Sequence, residues 1–510
     1  MISFLKSLRR LFVSRILYLF LALSVQILII VYLSFNAGTY FRIVNTIIRI
    51  LAIILVIYLV NKHSNPAYTL IWCITICTFP VLGFIAYILL GEKKVNSQLQ
   101  KNQLKQLINK QAILIQDSSL EKAFSSQDVK MQYDYLKNVY YPYYHNTDSK
   151  YYASGEAFYA DYLTDLKKAK HFIFLEFFII KKGKMWNETW EILQAKVKEG
   201  VKVYFIYDDF GGVTDFSEAF CKKANEMGIK MLSFNRLTPR LLVTMNNRDH
   251  RKLVIIDNQI GYTGGCNLAD EYINEINRFG HWHDSMIRIT GDAVWNMTVM
   301  FIQFFNAESK QEQLAFHEFK YPNTTVINSA LVLPFSDSPS DEENAARNVH
   351  LNMINHAKKY LYICTPYLII DYTIESALIN AAKQGVDIRI ITPGIPDKKY
   401  VFAITRSNYS SLIKNGIKIY EYTPGFIHTK DFICDDEIAL VGTINMDYRS
   451  YYMHFEDGVL INDQKTIATI KQAYEDTLAV SKLVSYQDCV KISPIRKIFQ
   501  SMMNLLSPLM

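Results

Sequence analysis

The chain carries one pattern twice. His250, Lys252 and Asp257 stand as His-x-Lys-x-x-x-x-Asp, and His428, Lys430 and Asp435 repeat that spacing 178 residues later. An asparagine follows each histidine at the same distance, Asn267 and Asn445. At average composition a given position matches such a triplet roughly once in several thousand. The fold must therefore be one that is built twice and lets the two copies face each other.

The repetition extends well beyond the triplets, which is the signature of a duplicated unit. Ala169-Lys170-His171-Phe172-Ile173-Phe174 is echoed by Ala357-Lys358-Lys359-Tyr360-Leu361-Tyr362. Gly200-Val201-Lys202-Val203 is answered by Gly385-Val386-Asp387-Ile388, and Gly228-Ile229-Lys230-Met231 by Gly416-Ile417-Lys418-Ile419. Each half reads as strand, helix, strand, helix, short strand, loop and then a triplet strand ending at Gly264 or Gly442. The strands, such as residues 172–180 and 253–256, are near-continuous apolar runs, which suits a sheet covered on both faces. Residues 186–199 and 374–384 carry helical spacing and stop at a glycine. The expected class is α/β, with two similar lobes, each a mixed sheet flanked by helices. The matched spacing weighs against a single larger domain whose halves agree by accident.

With 55 basic and 48 acidic residues the formal charge is +7, and half of the residues are hydrophobic. The apolar excess is concentrated at the start. Residues 16–33 and 67–90 have membrane-spanning length, and residues 43–60 form a third apolar run that contains Asn45, Thr46 and Arg49. A bundle of two to three transmembrane helices is expected, with three favoured because Arg49 lies near enough to the end to snorkel. Lys6, Arg9, Arg10 and Arg15 precede the first run, and Lys93, Lys94 and Lys101 follow the last. Both clusters face the cytoplasm only if the spans number two. The first run is too long for a signal peptide and lacks a small-residue cleavage site. Seven scattered cysteines form neither a disulfide framework nor paired zinc spacing.

Two converging copies of His, Lys and Asn suit a phosphodiester. Its oxygens need neutralising, with a nucleophile on one side of phosphorus and an acid on the other. Lys252, Asn267, Lys430 and Asn445 are donors to the phosphate oxygens, and charge-assisted hydrogen bonds of this kind are strong. One imidazole can attack in line while the other protonates the departing oxygen. Each histidine needs an acceptor on its second ring nitrogen, for which Asp284 and Glu456 are candidates. Asp257 and Asp435 count with the catalytic triplets by motif. Five residues past the lysines they fall on the opposite strand face, where a structural role near the domain interface is expected.

The segments Arg248-Asp249-His250-Arg251-Lys252 with Gly264-Gly265-Cys266-Asn267, and His428-Thr429-Lys430 with Gly442-Thr443-Ile444-Asn445-Met446-Asp447, Arg449-Ser450 and Phe455-Glu456, resemble the two motifs of the phospholipase D superfamily. Within it the chain resembles the bacterial cardiolipin synthases, over most of its length. The resemblance implies two phospholipase D-like lobes and an exchange through a phosphohistidine that uses no metal or other cofactor. His250 would be the nucleophile, His428 the acid and later the base, Glu456 would orient His250 and Asp284 would orient His428. The substrate would be phosphatidylglycerol, two molecules giving cardiolipin and glycerol. A membrane-anchored phospholipase D releasing phosphatidic acid is the alternative. The implied setting is the bacterial cell membrane, multi-pass, with membrane lipid as partner and no nucleic acid. No feature points to a particular oligomeric state. The expected layout is an anchor over 1–95, a linker or stalk over 96–135, lobes over 136–325 and 326–485, and an amphipathic tail over 486–510. One departure is Cys266 and the Gly264-Gly265 pair, where many superfamily members have Gly-Ser in the first motif; Thr443 retains a hydroxyl in the second.

Other features have weaker readings. His281-Trp282-His283-Asp284 has metal-ligand residue types but no further ligand cluster. No Lys/Arg stripe interleaved with aromatics marks a nucleic-acid surface. Glu176, Asp208 and Asp209 could touch a headgroup or be solvated carboxylates. The tyrosines of residues 133–152 could face lipid headgroups or pack on the body. Residues 237–245 and the amphipathic stretch 495–506 could dip into a bilayer.

Overall fold

Two runs of strands build two mixed sheets on one plan in the computed structural model. It describes residues 38–62, 66–80, 112–122, 126–236, 246–322, 326–341 and 343–507, with single residues and pairs elsewhere. The first run is β1 (Thr147–Tyr152), β2 (Phe172–Phe177), β3 (Lys202–Asp208), β4 (Ile229–Phe234), β5 (Lys252–Ile256), β6 (Ile260–Gly264), β7 (His281–His283) and β8 (Met286–Gly291). The second is β9 (Val332–Asp337), β10 (Tyr360–Cys364), β11 (Leu368–Ile369), β12 (Asp387–Pro393), β13 (Lys418–Tyr422), β14 (Gly425–Ile427), β15 (Asp431–Cys434), β16 (Ile438–Gly442), β17 (Met446–Asp447), β18 (Glu456–Ile461) and β19 (Ser481–Leu483).

The sheet orders are β1-β8-β6-β5-β2-β3-β4 and, read in the matching direction, β9-β18-β16-β15-β10-β12-β13-β19. Strand for strand the second repeats the first and adds β19. In both, three neighbouring strands run parallel and the rest antiparallel. All six residues of β2 are buried, as an apolar run between two helical layers requires.

The repeated Gly-Val and Gly-Ile pairs have a local cause. Gly200, Gly385 and Gly416 adopt φ of 89°, 101° and 95° and stop the preceding helix. The next residue then donates its N–H back over the last turn, Val201 to Lys196, Val386 to Ala381 and Ile417 to Leu412. In each case the chain is thereby aimed into the following strand.

Each expected triplet strand is instead a hairpin. Asp257 and Asn258 (φ 54° and 57°) turn the chain between β5 and β6, and Asp435 and Asp436 (φ 56° and 60°) do so between β15 and β16. Consecutive left-handed residues match the turn favoured by the twist of paired strands, and Asn and Asp tolerate them. This corrects the reading of the triplet aspartates as catalytic or as bonded near the domain interface. The Asp257 carboxylate accepts the N–H groups of Lys170, His171 and Phe172 at 2.7–2.8 Å, within its own lobe. Asp435 does the same for Lys358, Lys359 and Tyr360. Both sit beyond the far end of the strand from the lysine, about 16 Å along it at roughly 3.3 Å per residue.

The two sheets share a core. The helix Val294–Glu308 is apolar nearly all round and packs on β2, β5, β6 and β8 of one lobe and on β9 of the other. Phe301 stacks on Phe174 with ring centroids 4.2 Å apart, and the Asn296 amide donates to the carbonyls of Pro142 and Pro334. The tyrosines of residues 133–152 mostly belong to this body. Tyr133, Tyr141, Tyr143, Tyr151 and Tyr152 are buried, and Tyr133 and Tyr151 donate to Leu331 O and Asp431 Oδ2. Packing, rather than a lipid-facing surface, explains them.

The N-terminal segment falls in a separate compact unit. It contains helices Gly38–Asn61 and Pro66–Thr78, with Trp72 edge-on to Tyr68 and Tyr87. Among the described residues no helix is long and apolar enough to cross a membrane. The described side chains of Gly38–Asn61 begin at Thr46, and Ile47, Ile50, Ile53, Ile54 and Ile57 among them are exposed. The expected span 16–33, most of the stalk over 98–116, part of the span 67–90 and the insertion 237–245 lie outside the described residues.

If Asp257 and Asp435 are structural, Asp257→Ala strands three N–H groups at the start of β2. Its cost is expected at about 2–3 kcal/mol of unfolding free energy, read as a lowered melting temperature, with turnover per folded molecule retained. Loss of turnover in a fully folded Asp257→Ala protein would contradict this.

Candidate active site

At the ends of β5 and β15 the two lobes exchange backbone hydrogen bonds. The His250 N–H donates to Phe455 O at 2.9 Å, and the Phe455 N–H donates to Arg248 O at 2.9 Å. In the other half the His428 N–H donates to His283 O at 2.7 Å, where β7 pairs in parallel with β14. Each histidine is thus tied to a carbonyl of the opposite lobe, and the next residue after that carbonyl is an acid. That register delivers Glu456 to His250 and Asp284 to His428. His250 Nδ1 lies 2.9 Å from Glu456 Oε2, and His428 Nδ1 lies 2.7 Å from Asp284 Oδ2. An ionised carboxylate only accepts, so both rings carry their proton on Nδ1 and keep the Nε2 lone pair.

All four side chains are buried, and their charges are set by one another. Burial works against the Glu456 charge, but His250 and His454 outweigh it and hold the carboxyl well below its usual range. Asp284 is lowered in the same way, burial being outweighed by His428 and Lys430. Burial pulls His250 down to about 3 and His428 down to about 4, in each case with the help of a lysine and against the adjacent carboxylate. Near neutrality both imidazoles are therefore unprotonated and both acids charged. Lys252 and Lys430 each donate to the carbonyl of their own histidine. Burial lowers both to about 8, and for Lys252 the charge of Lys430 adds to it. Lys252 therefore feels the charge of Lys430 from the other lobe, a repulsion that an arriving anion would relieve.

The supports of the two acids differ. Glu456 accepts the hydroxyls of Thr443 at 2.5 Å and Ser450 at 2.7 Å. Asp284 accepts the Ser285 N–H at 2.9 Å and the Trp282 indole at 3.4 Å. Gly265, the counterpart of Thr443, explains why: a Cβ there would stand 1.7 Å from Asp284 Oδ1. The shorter acid sits closer to the backbone and takes the space of the missing side chain.

The asparagines are held unequally. Asn267 Oδ1 accepts the Ile179 N–H and its Nδ2 donates to Tyr272 OH at 2.6 Å, which leaves one amide hydrogen. The Asn445 N–H donates to Ser450 Oγ, and its Oδ1 has no partner among the described residues.

Glu176, Asp208 and Asp209 are engaged by partners within the protein. Glu176 lies 2.6 Å from Arg251, which also binds Asp249. Asp208 accepts the N–H of Phe210 and Asp249 and pairs with Arg248, and Asp209 accepts the Ser233 hydroxyl. The nitrogens of His283 are engaged by Thr429 and Thr477, and His281 Nδ1 by Tyr422.

The sequence reading missed His454, whose ring centroid lies 5.4 Å from that of His250. Its counterpart in the other half is Trp282, at 5.4 Å from His428. The repeat concealed the position because the two halves differ there. Asp431 was also missed. It joins the lobes by accepting the hydroxyls of Tyr151 at 2.6 Å and Ser285 at 2.9 Å.

Known proteins are similar to this chain. Residues 162–292 and 350–478 match the family model described as cardiolipin synthase, PLD-like domain, and residues 50–92 match the phospholipase D-nuclease N-terminal model. An uncharacterized protein of Streptococcus mutans is 38% identical over 89% of this chain and 99% of its own. A cardiolipin synthase of Staphylococcus aureus is 31% identical over 91% and 95% respectively, and one of Alkalihalophilus pseudofirmus 32% over 89% and 91%. The crystal structure of a phosphatidylserine synthase from Haemophilus influenzae shares the fold, with a TM-score of 0.59 at 15% identity over 75% of this chain and 98% of that one.

Burial pushes Asp431 up to about 7, so the folded chain holds a proton that the unfolded chain releases near pH 4. Its contribution is fully present below about pH 4 and is lost as pH rises through about 7. Asp431→Asn, which mimics the protonated acid, should therefore gain in melting temperature relative to the unsubstituted protein as pH rises from about 4 to 7. Parallel melting curves across that range would contradict it.

Two crossed histidine–carboxylate pairs, two buried lysines beside them and the match across both lobes lead to one conclusion: the chain belongs to the cardiolipin synthase family of phospholipase D-like proteins.

Proposed function

We propose that the protein is a phosphatidyltransferase that makes cardiolipin and glycerol from two phosphatidylglycerol molecules. The observation that carries this is the crossed pairing, in which each imidazole is fixed by a carboxylate of the other lobe and keeps its Nε2 free. In the first step His250 Nε2 attacks the phosphorus of one lipid. The bond from phosphorus to the glycerol headgroup oxygen breaks, and His428, protonated once the anionic phosphate is bound beside it, gives that oxygen its proton. Lys252 and Lys430, with the remaining amide hydrogens of Asn267 and Asn445, hold the non-bridging oxygens and stabilise the charge that grows on them. In the second step His428 takes the proton from the terminal hydroxyl of a second phosphatidylglycerol. That oxygen attacks phosphorus, the phosphorus–nitrogen bond breaks, and His250 is regenerated.

The roles of Glu456 and Asp284 follow from their positions. Each fixes the tautomer of its partner and stabilises the cation that forms there, as a base-orienting acid does. The reading places the protein in the bacterial cell membrane as a multi-pass protein. The apolar runs at 16–33, 43–60 and 67–90 support this, as does the family match over residues 50–92.

Purified protein supplied with labelled phosphatidylglycerol should give cardiolipin and free glycerol in equal amounts, with EDTA present. His250→Ala should abolish this, and His428→Ala should slow it by about 10²–10⁴-fold. Phosphatidic acid as the main product would establish hydrolysis instead, and near-normal turnover in either variant would overturn the mechanism.

A further inference from the structure

We propose that His250, His454 and Glu456 form an inhibitory site for a zinc-class divalent cation. The consequence for turnover rests on the mechanism above; the binding itself does not. One donor atom from each of the three side chains lies within 4.8 Å of the others. Two imidazoles and one carboxylate are a donor set that borderline cations such as zinc accept in sites that keep a further position open. His454 Nδ1 is buried, 3.6 Å from Glu456 Oε1, and makes no hydrogen bond among the described residues. That contact with Glu456 is longer than a normal hydrogen bond, and a metal bound to both groups would give the ring nitrogen a short, well-aligned partner.

The surroundings suit ligation. Glu456 is held by the Thr443 and Ser450 hydroxyls, the kind of outer support that orients a ligating carboxylate. The Nδ1 hydrogen of His250 points at Glu456, so a cation bound between them displaces that hydrogen. Lys252 and Arg449 oppose a cation here, while Glu456 and Asp447 attract it. The other half has no equivalent site, because Trp282 stands where His454 would be required.

The inhibition follows from proton bookkeeping on one ring. A metal on His250 Nδ1 takes the lone pair left when that nitrogen gives up its hydrogen. In the neutral ring the proton then resides on Nε2, and the lone pair that would attack phosphorus is gone. The Nδ1–H bond is exchanged for an Nε2–H bond with the ring otherwise intact, and a chelator reverses the change.

The test uses the full chain in detergent micelles with zinc sulfate at constant pH. Binding is followed by calorimetry and by the X-ray absorption of the bound metal, and turnover is followed with phosphatidylglycerol. The proposal requires one tight zinc per chain with two imidazoles in its coordination shell, and loss of turnover at matching zinc concentration that EDTA restores. His454→Asn should raise the zinc concentration for half-inhibition about tenfold or more relative to its own zinc-free rate. His281→Ala, which removes an exposed imidazole elsewhere, should leave that concentration unchanged. Equal zinc sensitivity of His454→Asn and the unsubstituted protein, or a shell without two imidazoles, overturns it. If the protein shows no transferase activity, the binding arms still decide the site, and the failure belongs to the proposed function.

Discussion

The interaction on which the rest depends is the backbone exchange between lobes, in which the His250 and His428 N–H groups each donate to a carbonyl of the opposite half. A side chain can swing by several ångströms on its own rotamers, whereas a residue adjacent to a bonded carbonyl cannot. Because Glu456 and Asp284 immediately follow those carbonyls, both carboxylates reach across at fixed distance. Burial then makes the arrangement self-consistent. Separately each acid would be costly in so dry a place; paired with an imidazole N–H and near two lysines, each remains charged.

The duplication also explains why the site occurs once. A single lobe could offer a histidine, a lysine and an asparagine, but the acid that orients its histidine comes from the other lobe. Half of the molecule therefore has no complete acid–base group. The helix Val294–Glu308 and the shared aromatic core make the two halves one body, which preserves the alignment. The halves are nonetheless not copies in detail. Gly265 and Thr443, or Trp282 and His454, fill equivalent positions with different chemistry, so the two histidines sit in distinct surroundings and need not serve equally.

Much of this was legible in the sequence because duplication made it so. The α/β class, the order of helices and strands and the convergence of His, Lys and Asn follow from positions that the two halves share. Where the halves diverge, the comparison was blind, and His454 escaped notice. The triplet strands turn out to be hairpins because Asp257 and Asp435, members of the motif by spacing, each open a turn with the residue that follows, Asn258 and Asp436. These are two-residue turns whose first member ties down the neighbouring strand. Tyrosine enrichment misled in a similar way, since a tyrosine whose hydroxyl finds a buried acceptor is as much at home in the core as at a membrane. Tertiary partners such as Leu331 O cannot be read from local sequence.

The central claim is that the imidazole of one lobe, His250, carries the phosphatidyl group while the imidazole of the other, His428, gives and takes the protons. It is tested most directly by trapping. His428→Ala lacks the base for the second step, so the protein, mixed with labelled phosphatidylglycerol, quenched in alkali and digested, should carry the phosphatidyl label on the peptide containing His250, bonded through Nε2. Label on another residue, or a protein that turns over substrate without ever carrying label, would contradict the account.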